Sequence, residues 1–140
     1  MNEIKAEDYN FANEYFTLNT DKFPYIYVKF EAKQPTDEEF EEYIEYAGKL
    51  LLQNQPYAII LNLSKAGYLK AKYRIKVGNF FKKNQTHISK FCRGTAHITD
   101  SAIQKFLLQA IFAVQKPPYE YIVVKEEERA YQWLEEQLAK

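Results

Sequence analysis

At 140 residues, with 46% apolar and 27% charged side chains, the chain suits one globular domain and favours neither a disordered nor a membrane class. Its longest apolar stretches are too short to cross a bilayer, and the N-terminal residues lack the basic start and apolar run of a secretory signal. A single cysteine, Cys92, excludes an intrachain disulfide framework and fits a reducing cytoplasm. Aromatic residues reach 16%, which predicts a ring-rich core or a ring-lined cleft.

In chain order, residues 1–14 read as an N-terminal extension, expected to pack loosely, of a single domain spanning residues 1–140. Residues 15–19 and 25–31 are predicted strands joined by a hairpin turn at Thr20, Asp21 and Lys22. The second alternates Tyr25, Tyr27 and Lys29 with Ile26, Val28 and Phe30, the period of two that a strand requires. Thr36 followed by Glu39 is a capping box. It opens a helix with Phe40, Tyr43, Ile44, Ala47, Leu50 and Leu51 on one stripe, stopped by Gln55 and Pro56. Residues 57–63 read as a strand apolar on both faces, hence central.

A second helix is predicted from about 69 to 83, with Tyr73, Val77, Phe80 and Phe81 toward the core. Residues 91–99 alternate as a strand. Thr99, Asp100 or Ser101 caps a third helix whose Ile103, Phe106, Leu107, Ala110, Ile111 and Val114 share one face, ended by Pro117 and Pro118. Residues 121–124 form a last strand. A final amphipathic helix over 126–139 carries Ala130, Trp133, Leu134 and Leu138. Strands alternating with helices after an opening hairpin imply an α/β domain: a single mixed, largely parallel sheet of about five strands with about four helices.

No catalytic, cofactor or metal motif stands out. His87, His97 and Cys92 lack metal-ligand spacing, and no two of the four glycines are close enough to build a phosphate loop. Cys92 and His97, five apart on a regular strand, are expected on opposite faces. The acids of residues 37–39 and 126–128 fall in first turns of helices, where they complement the macrodipole. The expectation is a non-enzyme without cofactor or metal.

Charge is segregated: residues 65–99 hold nine Lys or Arg and no acid, and residues 31–45 are dominated by acids. Such asymmetry steers an acidic partner or lets two copies meet acid to base, or it marks two solvated helix faces. On the second helix Lys72, Lys76 and Lys83 line one flank and Lys70 and Arg74 the other. The rings between them belong to the apolar stripe, so nucleic acid is not expected as a partner. Opposite that stripe, Ala71, Ile75 and Gly78 recur at i, i+4 and i+7, ending at Lys82: a narrow apolar track open to a partner backbone. Leu108 and Phe112 oppose the core stripe of the third helix and are a candidate dimer contact, unless another segment covers them.

The strand ending in Asn62, Leu63 and Ser64, the crossover helix, the strand from Cys92 to His97, and the closing Ala130-Tyr131-Gln132-Trp133-Leu134 together resemble the STAS family. These are the domains of anti-sigma-factor antagonists and sulfate-transporter tails. The similarity covers roughly residues 15–140 and is greatest to bacterial STAS-like proteins related to sporulation anti-sigma antagonists, whose final helix carries Ala-x-x-Trp-Leu. The resemblance implies a mixed sheet with helices packed on one side, and a cytoplasmic, non-catalytic regulatory or scaffold module. Its protein partner would bind around Asn62, Ser64, Lys65, Lys70, Ala71 and Lys72 and along Ile75, Gly78 and Lys82, with self-association as a further option. Regulated members carry a phosphorylated serine where this chain has the run from Lys70 to Tyr73. Here the serines and the aspartate of that loop are absent, so the phospho-switch is not expected, and Ser64 is the nearest hydroxyl. Some STAS-like domains also resemble CRAL-TRIO lipid-transfer domains, which implies a small apolar ligand as the alternative function.

Overall fold

The computed structural model describes residues 6–140. Residues 1–5 of the N-terminal extension, and the side chains of Glu7 and of Val114 on the predicted helix stripe, lie outside the described residues. The elements are a 3-10 turn (Ala6–Asp8), β1 (Phe11–Ala12), β2 (Phe16–Asn19), β3 (Tyr25–Phe30), α1 (Asp37–Leu51), β4 (Tyr57–Asn62), α2 (Ala71–Lys83), α3 (Gln85–Phe91), β5 (Cys92–Ile98), α4 (Ala102–Val114), β6 (Tyr121–Val124) and α5 (Glu127–Ala139).

The six strands of the described residues lie side by side in chain order. β1, β2 and β3 pair antiparallel; β3, β4, β5 and β6 pair parallel. Every parallel step moves the same way across the sheet, so right-handed crossovers put α1, α2 and α4 on one face. α5 follows the last strand without a crossover and packs on the opposite face, against β4, β5 and β6. The helices therefore do not all lie on one side, as the family resemblance implied. The expected five strands and four helices become six and five, because β1 and α3 were not legible: one has two residues and the other seven, too short to show a period.

Nor is the extension loose from Ala6 onward. Ala6 is buried, the Tyr9 amide donates to Thr20 Oγ1 at 2.8 Å, and Phe11 stacks on Tyr46 with centroids 3.9 Å apart.

Side-chain size differs between the two faces. Under α5 the sheet offers Ala58, Gly94 and Ala96, and the helix offers Ala130. A Cβ on Gly94 would meet the Trp133 ring at 3.0 Å, so the indole needs glycine there. On the other face the sheet carries Phe16, Phe30, Tyr57 and Leu61, met by Phe40, Tyr43, Tyr73 and Phe81 from the helices. Small residues let α5 come close, whereas rings hold α1, α2 and α4 at a distance. The α1 capping box forms as predicted: Glu39 N donates to Thr36 Oγ1 at 3.1 Å and Thr36 N to Glu39 Oε1 at 2.9 Å.

Because α5 alone among the described elements covers its face, Leu134→Ala removes a fully buried contact and is expected to lower unfolding free energy by about 2–5 kcal/mol. Urea unfolding measures this, and a loss below about 1 kcal/mol would contradict the packing described.

Candidate functional site

The predicted charge segregation resolves into a helix pair. α1 carries the acids and α2 the bases, and they lie side by side: Lys72 Nζ meets Asp37 Oδ1 at 2.8 Å, and Lys76 pairs with Glu41. Hydrogen bonds from Lys72, and then from the Tyr73 hydroxyl at 2.6 Å, hold the Asp37 carboxyl below its ordinary range. Part of the asymmetry is thus used within the chain. Among the described residues, Lys65, Lys70, Lys82 and Lys83 take part in no salt bridge.

The β4–α2 loop is set by its own side chains. Asn62 Oδ1 accepts from the Ser64 amide at 3.0 Å and from Ser64 Oγ at 2.7 Å, an Asx turn. Asn62 Nδ2 donates to the Tyr27 hydroxyl at 2.8 Å, which in turn donates to Glu127. Asn62 is therefore half-buried and structural, whereas Ser64, Lys65, Lys70, Ala71 and Lys72 are exposed. α2 starts at Ala71 with no side-chain cap and no acid in its first turn.

Along α2 the predicted track is real. Ala71, Ile75 and Lys82 are exposed, and a Cβ on Gly78 would meet nothing within 4 Å. With Ala110 and Ile111 of α4 these residues line an open groove between the two helices.

On α4 the predicted core stripe is right for Leu107 and Ile111 but wrong for Ile103 and Phe106. Leu108 and Phe112, the candidate dimer contact, point inward: both line a pocket, and Phe112 packs on Tyr121 with centroids 4.7 Å apart. Ile103 and Phe106, predicted to be core, are 69% and 66% exposed. The rotation follows from Gln104. Its Nε2 donates to the carbonyls of Ala66 and Gly67 at 2.5 and 3.1 Å, burying the side chain and drawing Leu107, Leu108 and Ile111 in behind it. The Ser101 cap forms, its Oγ accepting from Gln104 N at 3.2 Å.

The pocket is partly open to solvent and has a volume of about 120 Å³. It lies between α2 and α4 on one side and Leu61 of β4 and His97 of β5 on the other, and Phe30, Phe40 and Phe81 are among the rings that line it.

Cys92 and His97 share a face, contrary to the regular-strand expectation. A bulge accounts for this: Tyr57 pairs with Cys92 but Ile59 with Thr95, one extra residue on β5, which reverses the alternation. Among the described residues, no hydrogen bond joins the two. Cys92 Sγ contacts the Gly94 carbonyl and Thr95 Oγ1, and burial pushes its thiol up to about 12, so it is not a thiolate near neutrality. His97 Nδ1 donates to the Ile122 carbonyl at 3.4 Å. Burial brings this ring down to about 4, so it is neutral. Among the described residues, no group of three or more His, Cys, Asp or Glu is placed to hold a metal ion. No described helix is long and apolar enough to cross a membrane.

No protein-family model matches the chain, and no curated protein matches it. Among solved structures it is similar to an uncharacterised protein of the DUF3478 family with a SpoIIAA-like fold from Shewanella loihica PV-4. The two share 16% identity over 88% of this chain and 96% of the other, with a TM-score of 0.64. The fold is thus SpoIIAA-like, the fold of STAS-like domains.

His97 gives a pH signature. Its proton binds at about 4 in the folded chain and at about 6.5 when unfolded. Between these values the unfolded state takes up a proton that the folded state refuses. Stability therefore falls as pH drops through that window, by up to about 3 kcal/mol. Urea midpoints at about pH 7 and about pH 5 are expected to differ for the native chain and to converge for His97→Phe. An equal difference in both would contradict the assignment.

Proposed function

Proceeding from a SpoIIAA-like fold, we propose that the chain is a non-catalytic regulatory or scaffold module. It binds an apolar, acidic segment of a protein partner on the outer face of α2 and α4. The observation that carries this reading is the exposure of Ile75, Ile103 and Phe106, at 61%, 69% and 66%, on two helices that share a groove. A helix apolar all round belongs in a core. α4 is apolar on most of its surface yet leaves Ile103 and Phe106 to solvent, and exposed apolar surface of this kind marks interaction sites.

The partner's charge follows from the rim. Lys70 at the start of α2, and Lys82 and Lys83 at its end, have no acidic partner among the described residues. The uncapped amides of the first turn favour a negative group as well. Gly78 leaves room for a partner backbone to come close. The non-catalytic half of the proposal is supported by the chemistry of the two buried reactive side chains. A thiol pushed up to about 12 and an imidazole brought down to about 4 are neither nucleophile nor general base near neutral pH.

A second reading, a small-ligand binder, is favoured by a different observation: the apolar pocket of about 120 Å³. Native mass spectrometry of freshly purified protein is expected to show a retained small molecule if that reading holds.

For the first reading, Ile75→Asp and Phe106→Asp are each expected to weaken partner capture by at least about tenfold. Because both side chains are exposed, unfolding free energy should shift by less than about 1 kcal/mol. Binding measured against an identified partner checks this, and unchanged affinity in both variants would overturn the surface assignment.

A further inference from the structure

Most of the pocket wall is hydrocarbon or aromatic, so its polar members stand out. Arg74 lines both the α4 pocket and the outer α2–α4 groove, and its guanidinium reaches toward the exposed Tyr68. One nitrogen, Nη2, donates to the Tyr68 hydroxyl at 3.3 Å, and the guanidinium carbon sits 5.6 Å from the centre of that ring. Nε is buried and, among the described residues, has no hydrogen-bond partner. Among the described residues no carboxylate pairs with Arg74. A buried donor on a cation without an anion is an arrangement that proteins otherwise avoid, and the fork geometry of guanidinium matches a carboxylate.

Size and shape narrow the ligand. A dry apolar cavity of about 150 Å³ accommodates benzene, and this pocket, at about 120 Å³, is of the same order as a single ring. Phe30, Phe40, Phe81 and Phe112 line it, and ring walls favour a ring guest through edge-to-face contacts.

Resting on the small-ligand reading, we propose that the cavity binds a small aromatic carboxylic acid. The ring lies among these side chains, and the carboxylate is held by Arg74, which also lines the outer groove. That placement puts a ligand charge beside Ala71, Ile75 and Gly78, which line the same groove.

The test uses the full chain with benzoate and, as a neutral ring of similar size, toluene. Methyl resonances of Leu61, Leu107, Leu108 and Ile111 report occupancy in the native chain, Arg74→Met and Arg74→Gln. The expected result is saturable binding of both probes to the native chain. Both Arg74 variants should lose benzoate affinity by at least about tenfold and keep toluene affinity, which also shows that they are folded around an intact cavity. Toluene binding without benzoate binding, or benzoate binding equally to native chain and variants, overturns the carboxylate assignment while leaving the small-ligand reading in place. If neither probe perturbs these methyl groups at millimolar concentration, both fall.

Discussion

The two hydrogen bonds from Gln104 Nε2 to the carbonyls of Ala66 and Gly67 decide which way α4 faces, and both candidate sites depend on that choice. A neutral hydrogen bond contributes about 1 kcal/mol net, but a buried amide left without partners costs about 1–3 kcal/mol. Turning Gln104 outward would also strip the loop carbonyls of their donor. α4 is apolar on most of its surface, so hydrophobicity alone barely discriminates between its sides. A polar anchor of this size is enough to set the rotation. Once it is set, Leu107, Leu108, Ile111 and Phe112 face the sheet, and Ile103 and Phe106 face away.

The same loop ties the site to the sheet. Asn62 closes the end of β4 with its Asx turn and reaches the Tyr27 hydroxyl. From there the chain passes Ala66 and Gly67, gripped by α4, before α2 begins at Ala71. The surface of α2 and α4 is therefore tied to the sheet through hydrogen bonds of this loop. The pocket has a separate origin in the unequal faces of the sheet. Alanines and Gly94 bring α5 close on one side, whereas rings of fixed shape on the other leave space that aliphatic side chains would have filled.

Much of this was legible in the sequence. The strands over Ile26 and Ile60, the Thr36–Glu39 capping box, the final helix with Ala130, Trp133 and Leu134, and the parallel order all follow from period and turn chemistry. So does the outward track of Ala71, Ile75 and Gly78, because α2 has a clear apolar stripe to oppose. What was not legible depends on long-range contacts. The partner of Gln104 lies 38 residues away, and without it the hydrophobic pattern of α4 fits two faces almost equally. The β5 bulge that puts Cys92 and His97 on one face arises from pairing with β4, and an isolated strand gives no sign of it. Arg74 read as a flank cation, because nothing local shows that its Nε is buried beside a cavity.

The orientation of α4 is the claim on which the rest stands, and thiol accessibility tests it most directly. Cys92 is the only native cysteine and is buried, so single cysteines introduced as Phe106→Cys and Leu108→Cys report on their own positions. The thiol at position 106 is expected to react with a small disulfide reagent at close to the rate of a free cysteine. At position 108, half-buried against the pocket, reaction should be slower by at least about tenfold. Equal rates, or faster labelling at 108, would mean that α4 packs in the other rotation and would remove the basis for both sites.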